Sequence, residues 1–240
     1  MKALLWASCV GAVLVSSSSS HGAVVIGGSL LTPGDANQIE TWLGEGPITL
    51  TNIYTKVTGQ TAFDFHSAVD GQGRTVSVMK VFDGVSTQLI GGYNPQSWAP
   101  LDAYHITPLD AQRTAFLFNL TGTVIQRQNL ISEGTVGSGD YQTYNFFAQG
   151  PTFGAGYDLF VDFSLNAGNA NNYSYGGTSG TDNILNGVAN SSTLEVGALE
   201  VFSVAGAVPE PASVITWGLL GLVGIGAVWQ KRRVSLRQST

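Results

Sequence analysis

His66 lies between two acidic residues in the sequence, Asp64 and Asp70, and is the residue best placed for acid–base chemistry. A histidine exchanges protons near neutral pH, and a carboxylate beside it can fix the orientation of its ring. The sequence offers no activated serine or threonine for this histidine, and a metal site would need more ligands. We therefore predict no catalytic residue and no metal ligand. The alternative is an enzyme of unassigned reaction that uses His66 and the neighbouring carboxylates.

The glycine-rich segment 150–158 is a second candidate for chemistry, because closely spaced glycines can cradle a phosphate. A phosphate loop places its N–H groups at the start of a helix, and a P-loop adds Lys and Ser or Thr. Neither a lysine nor a predicted helix follows these glycines, so we expect no bound cofactor. The segment is interpreted as a tight turn that leads into a strand. Its predicted structural residues are Gly150, Pro151, Phe153, Gly154, Gly156 and Asp158.

Two further patterns leave ligand binding open. Oxygen ligands for calcium could come from a group without EF-hand spacing, namely Asp158, Asp162, Asn166, Asn169 and Asp182. A surface for stacking sugar rings could come from aromatic residues beside polar loops, with packing in the core as the alternative. These aromatic residues are Tyr93, Trp98, Tyr173 and Tyr175.

Residues 1–23 have the order of a secretory signal peptide: a lysine, an apolar run, five serines and small residues. Cys9, the only cysteine, lies inside the apolar run. Removal of the signal would leave a mature chain without cysteine, which excludes disulfides and thiolate chemistry. We expect the protein to be exported.

Residues 24–206 contain five basic residues against fifteen acidic ones. This excess of negative charge repels phosphate backbones, so nucleic acid is excluded as a partner. The whole chain is 43% hydrophobic and 11% charged, a composition that favours a folded body over a disordered one.

Residues 207–240 combine a proline–glutamate–proline triplet, an apolar run and a basic cluster, in that order. The uncharged run at 212–229 is predicted to form a transmembrane helix, and the basic cluster behind it is expected to stay in the cytoplasm. The triplet is Pro209, Glu210 and Pro211, and the basic cluster is Lys231, Arg232 and Arg233.

This order resembles the PEP-CTERM sorting signal. The resemblance implies recognition by an exosortase in the inner membrane and cleavage near the triplet. It further implies release to the cell surface or an extracellular matrix, so the contact with the membrane would be transient.

The body at 24–206 is predicted to be one mainly β domain. A helix begins after the cap residue Thr32 and ends at Gly44, and a second helix covers 62–69. Short segments rich in β-branched and aromatic residues predict strands at 50–55, 75–81, 88–93, 115–120, 158–163 and 199–204. We expect a β-sandwich of antiparallel strands flanked by the two short helices.

The acidic residues of the predicted strands are expected to lie outside the core. Asp158 and Asp162 alternate with apolar residues, which places them on the opposite side of the strand at 158–163. Glu195 and Glu200 are interpreted as solvent-facing or salt-bridged residues.

Several motifs in one chain order make residues 38–204 similar to the TLDc domain. They include Phe65-His66, Asp70-Gly71, 75–80, Ile90-Gly91-Gly92-Tyr93, Trp98, 116–120, 150–159, Asn172-Tyr173-Ser174-Tyr175 and Leu199-Glu200-Val201-Phe202. The resemblance implies a β-sandwich flanked by helices and brings no agreed catalytic site. For eukaryotic members it implies protection against oxidative damage and regulation of the vacuolar proton pump by direct binding. We expect a binding or structural domain here, with an extracellular polysaccharide or another surface protein as partner.

The signal architecture predicts that the mature protein begins near residues 20–24. N-terminal sequencing of the protein purified from its own host checks this position. Recovery of intact Met1 on the folded product would contradict export through a cleaved signal.

Overall fold

The computed structural model describes residues 22–133, 139–176, 182–185 and 192–206. Within these ranges, no helix is long and apolar enough to cross a membrane. Four sequence predictions lie outside the described residues: the signal peptide up to residue 21, the sorting triplet at 209–211, the transmembrane helix at 212–229 and the basic cluster at 231–233.

Both predicted helices are confirmed. Helix α1 spans Pro33–Leu43 and helix α2 spans Ala62–Val69. Helix α1 begins with a reciprocal cap: Thr32 Oγ1 accepts the Asp35 N–H at 3.2 Å, and Asp35 Oδ2 accepts the Thr32 N–H at 2.9 Å. Gly44 ends the helix in the left-handed conformation, at φ 69°, which glycine adopts without strain.

Twelve strands are described: β1 Val24–Ile26, β2 Ile48–Thr55, β3 Thr75–Phe82, β4 Thr87–Asn94, β5 Ala103–Ile106, β6 Phe116–Asn119, β7 Val124–Arg127, β8 Tyr141–Asn145, β9 Thr152–Phe153, β10 Leu159–Val161, β11 Ala167–Ala170 and β12 Ser192–Gly206. The six predicted strands correspond to β2, β3, β4, β6, β10 and part of β12. Six others escaped prediction: β1, β5, β7, β8, β9 and β11.

The strands form one continuous ladder in the order β5-β8-β9-β10-β11-β12-β3-β4-β6-β7. Strand β2 pairs with β12, and β1 pairs with β2 in the one parallel pairing among the described strands. The prediction of a mainly β, antiparallel fold with two helices is therefore confirmed. The ladder is continuous, instead of two hydrogen-bonded sheets, because the first residues of β12 pair with β11 and its last residues with β2.

The ladder curls back over itself. Strands β9 and β4 are five pairings apart, a separation of about 24 Å in a flat sheet. Yet a Cβ atom added to Gly92 in β4 would lie 2.6 Å from the Phe153 ring in β9. The enclosed space holds a core that includes Phe65, Trp98 and Leu199.

A second core lies on the opposite face of β3, β4, β6 and β12, beneath helix α1. Ile39 of the helix is fully buried in this core with Phe118 of β6. The ring of Trp42 lies 5.9 Å from the Phe118 ring, between centroids. The apolar stripe of α1 therefore covers one face of the sheet, as its sequence spacing indicates.

Glu200 of β12 is 2% exposed, so the expectation of a solvent-facing or salt-bridged side chain is wrong. Its carboxylate accepts the Ser29 N–H at 2.8 Å, the Leu30 N–H at 3.0 Å and the Ser29 hydroxyl at 3.0 Å. Backbone donors therefore compensate for the burial of this charge. The interaction fastens the segment before α1 to the strand that ends the described body.

We expect Glu200→Gln to lower the free energy of unfolding by about 1–3 kcal/mol, because the amide turns an NH₂ donor toward backbone donors. Urea denaturation of the mature protein measures the change. Glu195→Gln is the matched control, since Glu195 is exposed on the same strand. Equal unfolding midpoints for both variants would contradict the role of Glu200.

Candidate functional site

The ring of His66 is buried at the C-terminal end of α2, and both of its nitrogens have close partners. Nδ1 lies 2.8 Å from Asp70 Oδ1, one turn further along the chain. Nε2 lies 3.0 Å from the Phe146 carbonyl oxygen and 3.1 Å from that of Gln149. Carbonyl oxygens only accept hydrogen bonds, so Nε2 carries a proton and donates it. His66 thus joins α2 to the segment that follows β8.

The structure brings His66 and Asp70 together, as the sequence indicates. Asp64 instead caps the N-terminal end of α2. Its Oδ2 accepts the Thr61 N–H at 2.8 Å. A general base needs an available nitrogen within reach of a substrate proton. Both nitrogens of the buried His66 ring already lie against protein oxygen atoms, so the geometry favours a structural tie over proton transfer.

Asp158 is fully buried, which corrects its expected position outside the core. It precedes β10, and its side chain turns to the chain segment 173–175. Oδ1 accepts the Tyr173 N–H at 2.9 Å, and Oδ2 accepts the N–H groups of Ser174 and Tyr175 at 2.5 and 2.8 Å. Burial raises the pKa of Asp158 to about 7, and the three donors act against that rise by stabilising the charged form.

The glycines of segment 150–158 lie where a side chain would collide. Gly154 has φ +77°, and a Cβ atom there would lie 2.7 Å from Asp158 Oδ2. A Cβ atom at Gly156 would lie 2.6 Å from the Tyr173 Cβ, and one at Gly150 would lie 2.7 Å from Leu165 Cδ2. The Tyr157 N–H closes the turn by donating to the Gly154 carbonyl oxygen at 3.2 Å. These contacts support the predicted scaffold role, which the variants below test.

Two of the candidate calcium ligands, Asp158 and Asp162, take part in hydrogen bonds within the protein. Asp158 is occupied by backbone donors, and Asp162 accepts the Ser164 hydroxyl at 2.9 Å. Within the described parts of the chain, no three His, Cys, Asp or Glu residues could hold one metal ion together.

The four aromatic residues considered for sugar stacking do not form a surface. Tyr93, Trp98 and Tyr175 are buried, and Tyr173 is 41% exposed. The Trp98 indole N–H donates to Thr75 Oγ1 at 2.9 Å, and the Tyr175 hydroxyl donates to the Gln142 carbonyl oxygen at 2.6 Å. The polar atoms of these rings are therefore satisfied inside the core, and packing is the correct interpretation for three of the four.

A different set of aromatic residues lies on the outer side of the curled ladder. We name the first part the tyrosine row: Tyr104, Tyr141, Tyr144, Tyr157 and Phe160. Tyr104 of β5 lies 4.8 Å from Tyr141 and 4.6 Å from Tyr144, between ring centroids. Tyr144 is 6.3 Å from Tyr157, which stacks on Phe160 at 5.0 Å. The five rings are half-buried and form one unbroken series.

A phenylalanine corner, formed by Phe63, Phe147 and Phe163, extends the tyrosine row. Phe146 connects the two, because its ring lies 5.9 Å from Tyr144 and 4.8 Å from Phe147. Phe63 stacks on Phe147 at 5.8 Å and meets Phe163 edge-on at 5.1 Å. The exposed fractions of the three corner residues are 54%, 43% and 43%. We call the row, Phe146 and the corner together the aromatic face.

Sequence reasoning missed the aromatic face because its members come from four chain segments. Phe63 lies in α2, Tyr104 in β5, and the others follow residue 140. Strands β5 and β8 themselves escaped prediction, so nothing placed Tyr104 opposite Tyr144, its partner in the ladder. The available signal was the density of aromatic residues between 141 and 163.

The chain carries a PEP-CTERM protein-sorting motif, since the model of that family matches residues 207–233. PEP-CTERM signals are recognised by an exosortase, and the motif implies export with processing at the membrane. No curated protein matches the chain. The match covers the sorting segment and leaves the strands and helices described above outside it.

Gly154→Val should lower the free energy of unfolding by about 3 kcal/mol or more, because it forces a β-branched residue to positive φ against Asp158. Asp158→Asn should cost about 1–3 kcal/mol, because one backbone N–H would then face an amide NH₂. Thermal and urea unfolding of the mature protein measure both changes.

Gly197→Val is the matched control for the glycine, since a Cβ atom there meets nothing closer than 3.5 Å. If Gly154→Val left the stability unchanged but abolished binding to a partner, segment 150–158 would be a binding site and its scaffold role would be refuted.

Proposed function

We propose that this chain is a protein of the cell surface or extracellular matrix that an exosortase processes at its C-terminal end. The observation that carries the proposal is the PEP-CTERM match at 207–233. This range includes the proline–glutamate–proline triplet at 209–211 and the basic cluster at 231–233. The proposed cleavage falls at Pro209, Glu210 or Pro211.

The proposed organisation has three parts: a signal peptide at 1–23, a body at 24–206 and a sorting segment at 207–240. In the sorting segment, the uncharged run at 212–229 forms a transmembrane helix, and Lys231, Arg232 and Arg233 remain in the cytoplasm. The helix is short for a permanent anchor, and exosortase cleavage makes the attachment temporary.

The two ends of the described body are compatible with processing on both sides. The Ala23 N–H donates to Asn37 Oδ1 at 2.9 Å, and β1 begins at the next residue. Strand β12 ends at Gly206, where it pairs with Ile48 of β2. Cleavage near residues 20–23 and near 209–211 would therefore remove no strand from the sheet.

For the body we propose a TLDc-like β-sandwich with a binding or structural role. The antiparallel strands and two helices agree with that fold, and motif residues Gly154, Asp158 and Glu200 take part in interactions that hold the chain together. The partner is an extracellular polysaccharide or another surface protein. The enzyme alternative gains no support from His66, because both ring nitrogens lie against protein acceptors.

Mass spectrometry of cell-free material tests release. We expect peptides from the body and none beyond about Pro211, because the cut separates the body from its anchor. In a strain that lacks exosortase, the full-length chain should stay in the membrane fraction.

A variant with alanine in place of Pro209, Glu210 and Pro211 is the matched control and should also remain membrane-bound. Peptides that reach Arg233 in the cell-free fraction would contradict cleavage.

A further inference from the structure

The aromatic face is directed away from the core. Phe160 lies between Leu159 and Val161, which are both fully buried, so strand alternation turns the Phe160 ring to the outer side. Neighbouring rings of the tyrosine row continue from it, and the phenylalanine corner adds three side chains that are more than two-fifths exposed. Apolar rings exposed together in one surface are typical of a binding site.

The charge around this face disfavours an anionic ligand. The chain has no lysine or arginine between residues 139 and 206, the range that supplies most of its rings. Asp102 accepts a hydrogen bond from the Tyr144 hydroxyl, and Asp162 precedes Phe163 in the chain. Lys56 is the basic residue near Asp162, and its ammonium group donates to the carbonyl oxygens of Leu165 and Val196 at 2.7 and 2.8 Å. An acidic polymer or an anionic lipid surface would therefore meet net repulsion at this face.

Hydroxyl groups accompany the rings. The hydrogen bond to Asp102 is the main cause that raises the pKa of Tyr144 to about 12, and the Tyr144 hydroxyl donates its proton in that bond. Burial raises the pKa of Tyr104 as well. The Tyr104 hydroxyl donates to the Ala155 carbonyl oxygen at 3.4 Å. The row therefore offers ring faces together with hydroxyl oxygens whose lone pairs can accept hydrogen bonds from sugar hydroxyls. A sugar ring presents the complementary pattern, with an apolar face of C–H groups and a rim of hydroxyls.

The position of the face in the sheet argues against contact with the anchoring membrane. Strand β12 leaves the sheet at Gly206 beside Ile48, whereas Glu200 pairs with Thr55 at the other end of β2. These two points are about 20 Å apart along the strand. Phe63 belongs to α2, which follows the Thr55 end, so the phenylalanine corner lies remote from the point where the chain leaves toward its anchor.

We propose that the aromatic face binds a neutral polysaccharide, with sugar rings stacked on the exposed aromatic rings and sugar hydroxyls bonded to tyrosine hydroxyls. The inference rests on the proposed function, because it assigns a surface and a chemical class to the polysaccharide partner named there. A continuous series of rings suits a polymer better than a single sugar, because adjacent units can stack on adjacent rings.

Native affinity electrophoresis of the purified mature protein tests the proposal. Gels contain one neutral polymer each (hydroxyethylcellulose, xylan, galactomannan or dextran) or the anionic polymer alginate. We expect retardation by at least one neutral polymer and none by alginate. The double variant Phe63→Ala/Phe163→Ala should weaken the retarding interaction about tenfold, which corresponds to roughly 1.4 kcal/mol.

Phe82→Ala is the matched control, since Phe82 is a 41% exposed phenylalanine on β3, outside the aromatic face. It should leave retardation unchanged. Circular dichroism verifies folding, and Phe147→Ala provides the same test with one ring removed if the double variant unfolds.

Three outcomes would overturn the proposal: no retardation by any neutral polymer, equal retardation by alginate, or equal effects of the face variants and Phe82→Ala. Light scattering measures the oligomeric state and so tests whether a second copy of this chain, and not a glycan, binds the aromatic face. A dimer that Phe63→Ala/Phe163→Ala dissociates, without glycan binding, would assign the face to self-association. Release from the membrane is measured separately, so a failure of glycan binding is distinguishable from a failure of the sorting proposal.

Discussion

The backbone hydrogen bonds of β12 are the constraint on which the rest of the described structure depends. The fifteen residues of this strand pair with β3 on one side and with β11 and β2 on the other. A buried strand must satisfy its N–H and C=O groups through its neighbours, so the position of β12 determines where those three strands lie. Both cores are built on its side chains: Leu199 and Val201 point into one, and Phe202 and Val204 into the other.

Two buried carboxylates extend this framework beyond the strands. Glu200 holds residues 29 and 30, and Asp158 holds residues 173–175, each through backbone N–H donors. Irregular segments lack ladder partners for these N–H groups, and an ionised carboxylate can accept several of them. The two carboxyl groups therefore act as local substitutes for strand pairing, which explains why acidic residues occur in the interior of the protein.

The elements that could be predicted were those whose own residues determine their structure, such as helix caps and apolar strand segments. Thr32, Pro33 and Gly44 mark the limits of α1 by their own chemistry, and β3 and β4 show runs of β-branched or apolar residues. Strands β5, β8 and β11 contain Tyr, Gln, Asn and Gly, and tertiary pairing rather than composition makes them strands. The burial of Asp158 and Glu200 could not be predicted either, because their N–H donors are distant in the sequence. The His66–Asp70 contact was indicated by a spacing of four residues at the end of α2, whereas no local spacing indicated the aromatic face.

The late position of β12 in the sequence has a consequence for export. A chain that crosses a membrane from its N-terminal end delivers β2, β3 and β11 before the strand that joins them. Until residues 192–206 have crossed, these strands lack their shared partner, and long-range pairing of this kind is slow. The proposed sorting segment begins directly after Gly206 and would hold the newly translocated chain at the membrane while the sheet closes. A tether of this kind would also give the last strand time to pair.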